Sequence, residues 1–267
     1  MSSIKVNESK LKVLKVIDKN DDNTINMNRV FSVPARLLLC GASGSGKSNF
    51  LVNLILNENY GYTKVWKGDD IYIFAPNPYA DNKLNMIIEG KDISESNIYG
   101  GEFNPTSLDN LYEMLVEDYE EAKAEKQPQV HKLIILDDLS FSGNFASRFN
   151  ILAKIYQNGR KYLVSVVCLS QYYKQTTNAI RMNCSGLVVW RTPNSQLEVL
   201  EHEHNYLRGG KKDFYNMIYD NVREKTDFIV INYSNSANEL YLDKNMNNIT
   251  PSIKKSLIVK KQKKLKS

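Results

Sequence analysis

No apolar stretch in this chain is long enough to cross a bilayer. Its apolar runs, such as Leu133–Leu136 and Val166–Leu169, are strand length, against the ~20 residues that a spanning helix requires. The first residues, MSSIKVNESKLK, are polar and lack the apolar centre of a signal peptide. Cysteine is scarce: Cys40, Cys168 and Cys184 are odd in number, far apart, and form no Cys-x-x-Cys pair. A disulfide scaffold is thereby excluded, and the expectation is three reduced, buried thiols in a soluble intracellular protein. Histidine is equally sparse. His202 and His204 stand two apart on a segment that reads as a helix, so they point to different faces and make no zinc pair. Internal repeats are lacking, and no biased composition marks a fibrous or wholly disordered chain. With 42% hydrophobic and 24% charged residues over 267 positions, the chain can build one large core, with or without appendages.

The C-terminal segment has no acidic residue to balance its lysines. Residues 253–267 read IKKSLIVKKQKKLKS, with seven lysines and no acid. The formal charge of +5 therefore resides in this tail, and the body is near neutral or slightly acidic. Such a tail suits phosphate backbones, and is also a common solvated terminus. The organisation expected is a polar leader over residues 1–29 with a short strand at Lys10–Ile17, a core domain over 30–250, and the basic tail over 251–267.

From Arg36 onward the pattern is α/β. Apolar runs at Leu37–Cys40, Asp70–Phe74, Leu133–Leu136, Leu163–Leu169 and Gly186–Trp190 read as strands, followed by Phe228–Asn232 and Glu239–Leu242. Helical spacing appears at Phe50, Leu51, Leu54 and Ile55. It recurs over Leu108–Lys126, Phe145–Gln157, Ser195–Tyr206 and Asp213–Val222. Short strands alternating with helices imply a mostly parallel sheet covered on both faces, with ligands at the carboxyl ends of the strands.

Three motifs stand at such ends. The first is GASGSGKS, Gly41–Ser48, which satisfies G-x-x-x-x-G-K-[ST] between an apolar strand and an amphipathic helix. Backbone N–H groups along Gly41, Ala42, Ser43, Gly44, Ser45 and Gly46, and on to Asn49 at the helix start, would cradle phosphates of ATP. Lys47 would reach the β- and γ-phosphates, and the Ser48 hydroxyl would ligate Mg²⁺. The second motif, KLIILDDLS, ends a buried strand in two carboxylates. Asp137 suits the Mg²⁺ and Asp138 the attacking water. The third, VSVVCLSQ, places Gln171 at the next strand's end, where an amide can sense the γ-phosphate or the water. Two arginines, Arg160 in QNGRK and Arg181 in AIRMNC, are candidates for stabilising a transferring phosphoryl group. Each can equally grip a DNA phosphate or serve a structural pairing, and both are expected near the phosphate edge.

With these residues in place, the chain resembles the genome-packaging ATPases of the FtsK–HerA superfamily, as found in large nucleocytoplasmic DNA viruses, virophages and polinton-type elements. The resemblance rests on VPARLLLCGASGSGKSNFL, DIYIFAPN, LIILDD, NGRK, VVCLSQ and IRMN. It runs from about Val30 to Trp190 and more weakly to Leu242. Relatives often carry histidine after the arginine of NGR, where this chain has Lys161. The resemblance implies an ASCE-type sheet, with one strand inserted between those of the P-loop and of Asp137. It implies ATP contact at Gly41, Gly46, Lys47, Ser48, Asp137, Asp138 and Gln171. It also implies a homo-oligomeric ring in the host-cell cytoplasm, threading double-stranded DNA into a preformed capsid, with a capsid or portal protein as partner. A cellular HerA-like translocase or helicase shares this chemistry. A low-turnover NTP-binding switch and a small-molecule kinase are other readings of a P-loop, and Asp137, Asp138 and Gln171 argue against the switch.

Overall fold

The structure is a computed structural model that describes residue 25, residues 31–138 and residues 145–251, with side chains omitted over 145–150. The strand expected at Lys10–Ile17 and the basic tail lie outside the described residues.

Strands and helices alternate through most of the chain. Strand β1 (Arg36–Cys40) enters the Gly/Ser loop, which opens helix α1 (Lys47–Leu56). Strand β2 (Ile71–Phe74), helix α2 (Asn82–Lys91), strand β3 (Ile98–Tyr99) and helix α3 (Pro105–Ala124) follow. Then come β4 (Lys132–Leu136), α4 (Phe145–Asn158), β5 (Val164–Ser170) and α5 (Asn178–Asn183). The chain continues through β6 (Gly186–Trp190), α6 (Asn194–His204), α7 (Gly210–Asn221), β7 (Phe228–Asn232) and β8 (Tyr241–Leu242). The strands form one eight-stranded sheet in the order β3-β2-β4-β5-β1-β6-β7-β8. The first six in that order are parallel, and β7 and β8 pair antiparallel.

The central strands are buried on both faces, which is why they read as continuous apolar runs rather than as alternating ones. Leu38 and Cys40 point into a core shared with α3 to α7, whereas Leu37 and Leu39 point to the face covered by α1 and α2. Helix α1 buries Phe50, Leu51, Leu54 and Ile55, the four residues whose spacing marked it. Helix α3 starts where Asn104 accepts from the Thr106 N–H at 3.0 Å and Pro105 occupies the first turn, two signals that favour a helix start.

Three elements were not anticipated: the short helix α5, helix α2 and strand β3. Helix α2 is capped by Asp81, whose carboxylate accepts from the N–H groups of Lys83 and Leu84 at 2.8 and 3.2 Å, and it buries Leu84, Ile87 and Ile88 against α1. Strand β3 is only two residues long and pairs with β2 at the sheet edge. Several expected boundaries also move, α3 and α7 each starting three residues earlier than expected. Leu163 does not begin β5, because its left-handed backbone (φ 57°) closes the preceding turn, and β8 is shorter than Glu239–Leu242. All three cysteines are buried and unpaired, and burial pushes each thiol up to about 12. Among the described residues no helix is long and apolar enough to cross a membrane.

Candidate active site

The sheet order fixes what meets at its carboxyl edge. Strand β5 lies between β1 and β4, so the loop after β1, the carboxylates after β4 and Gln171 after β5 face one another. They line a cleft of about 450 Å³ with Ser43, Gly44, Lys47, Ser48, Asp137, Asp138 and Gln171 on its walls.

Close packing and backbone conformation shape the loop. A Cβ on Gly41 would lie 2.7 Å from Trp190 Cβ and 2.8 Å from Ser45 Oγ, so only glycine fits there. Gly46, just before α1, has φ 108°, a conformation that side chains oppose. The Lys47 ammonium is bent back into the loop and donates to the carbonyls of Gly41 at 2.6 Å and Ala42 at 3.2 Å. Burial lowers its pKa, and the charges of Asp137, Cys40 and Asp138 oppose that shift. Ser45 is buried within the loop, and Asn49 lies exposed in the first turn of α1.

Asp137 follows β4 directly, its N–H donating to the Phe74 carbonyl at 2.9 Å. Burial, then the neighbouring charges of Asp81 and Asp138, push its carboxyl up to about 6, while Lys47 and the Asp138 N–H pull the other way. Asp138 adopts a left-handed conformation (φ 50°) that turns the chain sharply, and its Oδ1 accepts from Gln171 Nε2 at 3.2 Å. Two residues read from separate motifs, 33 positions apart, are thus in contact.

These side chains fit a magnesium ion held with phosphates. A carboxyl whose pKa is raised chiefly by burial is one whose desolvation cost a cation would offset, and Asp137 shares its cleft with the Ser48 hydroxyl. Among the described residues no group of three or more His, Cys, Asp and Glu forms a metal cage. Mg²⁺ is usually held by one or two protein groups with water and phosphate oxygens, a set to which Ser48 and Asp137 could contribute.

Asp81 is a member of this site that sequence reading missed, together with Asn82 and Lys83 in the same cleft. The signal was available. Asp81 precedes apolar residues at 84, 87 and 88, which is a capped amphipathic helix starting at the carboxyl end of β2.

Neither arginine lines the cleft, and Arg160 is not near the phosphate edge, which corrects that expectation. Arg160 lies in the turn before β5, whose first residue Val164 pairs with Lys132, the first of β4. Its charge acts on Arg36, the first residue of β1. The P-loop begins five residues later, roughly 16 Å along the strand. Residues that precede a parallel strand sit at the edge opposite the residues that follow one, and this displaced the expected position. Arg181 is engaged within the fold. Its Nε and Nη2 donate to Glu203 at 2.8 and 2.7 Å, and Nη1 donates to the Thr176 carbonyl. Glu203 also accepts from Tyr173 Oη at 2.6 Å. His204 adjoins this cluster with both ring nitrogens taken by Tyr173 and Tyr233 hydroxyls, and burial lowers its pKa to about 4.

A parallel sheet with one strand inserted between the phosphate-loop strand and the carboxylate strand, and these motifs converging at its carboxyl edge, define a P-loop NTPase of the ASCE type. The family model described as Poxvirus A32 protein matches residues 22–266, and the chain belongs to that family. The DNA packaging protein OPG160 of vaccinia virus (strain Copenhagen) is 25% identical over 205 residues, covering 74% of this chain and 67% of the relative. The monkeypox virus protein of the same name is 24% identical over 204 residues, 74% of this chain and 61% of its own length. The chain therefore spans about two thirds of these relatives. Among solved structures, the DNA-packaging ATPase B204 of Sulfolobus turreted icosahedral virus aligns with a TM-score of 0.49 at 10% identity, over 76% of this chain and 94% of that one.

Proposed function

We propose that this chain hydrolyses Mg-ATP to drive double-stranded DNA into a viral capsid, working as a ring of identical subunits. The observation that carries the reading is the 3.2 Å contact between Gln171 and Asp138 across the cleft from Lys47. A nucleotide-binding switch has no need for a carboxylate and an amide posed together beside the phosphate end. Membership of the poxvirus A32 family, and relatives named for DNA packaging, give that chemistry its task.

In this reading the backbone N–H groups of 44–48 and the Lys47 ammonium bind and orient the phosphates. Ser48 and Asp137 hold Mg²⁺, which neutralises charge on the phosphate oxygens when bound. Gln171 fixes Asp138 in place, and the Asp138 carboxylate accepts the proton of the attacking water. ATP turnover measured with and without double-stranded DNA, beside molar mass in ATP, tests the whole. Turnover that ignores DNA and a protein that stays monomeric would sink the packaging reading.

Arg160, about a strand's length from its own P-loop, can meet a phosphate only across a subunit boundary. A ring is a head-to-tail assembly in which each site faces a neighbour. Arg160→Ala is expected to bind ATP but turn it over slowly, and to recover part of its activity when mixed with Lys47→Ala under conditions of subunit exchange. An intact P-loop then meets an intact arginine. No recovery at any ratio, with exchange verified, removes the trans role. Arg181, bound to Glu203, is the weaker candidate.

The tail supplies a separate expectation. Deleting residues 253–267 should weaken DNA binding and flatten its dependence on salt, with basal ATPase retained. Each phosphate neutralised contributes a slope of about −0.9 in log K against log salt, and seven lysines set the ceiling. An unchanged slope would assign the tail another partner.

A further inference from the structure

A second cleft, of about 490 Å³, opens beside the P-loop on the side away from Asp137. It lies between the segment after β6 and the end of α7, and two chain connections tie it to the phosphate loop. Trp190, which touches Gly41, is followed directly by Arg191 on the cleft wall. Arg223, on the opposite wall, is two residues from Lys225. The Lys225 ammonium lies 3.0 Å from the point where a Cβ on Gly44 would stand. The loop carrying both is anchored by the buried Asp227, which accepts from the N–H groups of Arg223 and Glu224 and from Lys244.

The sheet order gives this position its meaning. Asp137 and Gln171 lie on the β4–β5 side of β1, and β6 lies on the other. Strand β7 runs antiparallel to β6, Phe228 pairing with Trp190, so the chain before β7 returns to the same carboxyl edge. A nucleotide whose terminal phosphate meets Asp138 must extend its other end toward β6. The cleft there has an apolar floor of Leu197 and Ile218, both buried, and a Tyr219 ring that is 52% exposed. Tyr219 Oη donates to Asn194 Oδ1 at 3.3 Å, and Arg191 and Arg223 flank the opening. An apolar floor, an exposed aromatic ring, an amide and two planar cations are the groups that receive a nucleobase and its ribose.

We propose that this cleft is the nucleoside subsite, with the base stacked on Tyr219 and the sugar–phosphate junction beside Arg191 and Arg223. The assignment rests on the ATPase reading above and names where its substrate is recognised. Calorimetric titration of the full chain with ATP and with inorganic tripolyphosphate, each with Mg²⁺, separates the two. Tyr219→Ala should weaken ATP about tenfold, within the range for loss of one base–aromatic stack, and leave tripolyphosphate unchanged. Tyr219→Phe should keep parental affinity, and Arg223→Ala, which removes a cation from the sugar–phosphate junction, should weaken ATP more than tripolyphosphate. Parental ATP affinity in both Tyr219→Ala and Arg223→Ala would overturn the subsite, as would equal weakening of ATP and tripolyphosphate. In either of those cases, loss of both ligands in Lys47→Ala would leave the ATPase reading standing. A parental chain that binds neither ligand would overturn both.

Discussion

Lys47→Ala should leave the fold intact and lower ATP turnover by on the order of 10³-fold, with weaker nucleotide binding. The ammonium is drawn into the cleft and partly stripped of water, which makes its charge count for more against phosphate than it would in solution. A methyl group there leaves the β- and γ-phosphates without that cation. Within the loop the ammonium bonds to the carbonyls of Gly41 and Ala42. Neither bond supports the core, so the melting temperature should change little. Phosphate release and calorimetry measure the effect, and turnover at the parental rate would remove Lys47 from the site.

Asp138→Asn separates binding from chemistry. Asparagine is among the few residues that tolerate the left-handed backbone found at this position. Its amide oxygen can still accept from Gln171, so the geometry should persist. The amide cannot take a proton from water, and hydrolysis should fall by about 10²–10⁴-fold while ATP affinity holds. Hydrolysis at the parental rate would show that another group activates the water. A parallel loss of ATP affinity would instead make Asp138 a binding residue.

How much of this was legible beforehand depended on the kind of signal. Strands β1, β4, β5 and β6 were plain, because a strand buried on both faces leaves an unbroken apolar run, as in Leu133–Leu136. The contact between Asp138 and Gln171 followed from a simple rule, that residues ending adjacent parallel strands lie at one edge. The same rule, applied to residues that precede strands, would have moved Arg160 to the far edge. Helix α2 was obscured by its polar half. Asn82, Lys83, Asn85 and Glu89 dilute the pattern of Leu84, Ile87 and Ile88, and with the helix went Asp81. Strand β3 carries no legible signal at two residues, since its place is set by pairing with β2 alone. The ion pair of Arg181 with Glu203 spans 22 positions and two helices, a proximity that no local pattern encodes.

The sheet ends on both sides in stubs. Its outermost strands, Ile98–Tyr99 and Tyr241–Leu242, are two residues each. Such short edges offer too few free backbone groups to be extended by another chain. Among the described residues neither margin therefore offers a second copy a sheet to continue, a junction whose fixed ladder would lock the two in register. In the ring proposed above, contacts between copies would be made by helices and loops, whose side chains can slide and re-seat. If the ring proposed above changes the angle between neighbours with every nucleotide consumed, two truncated margins would give it that freedom.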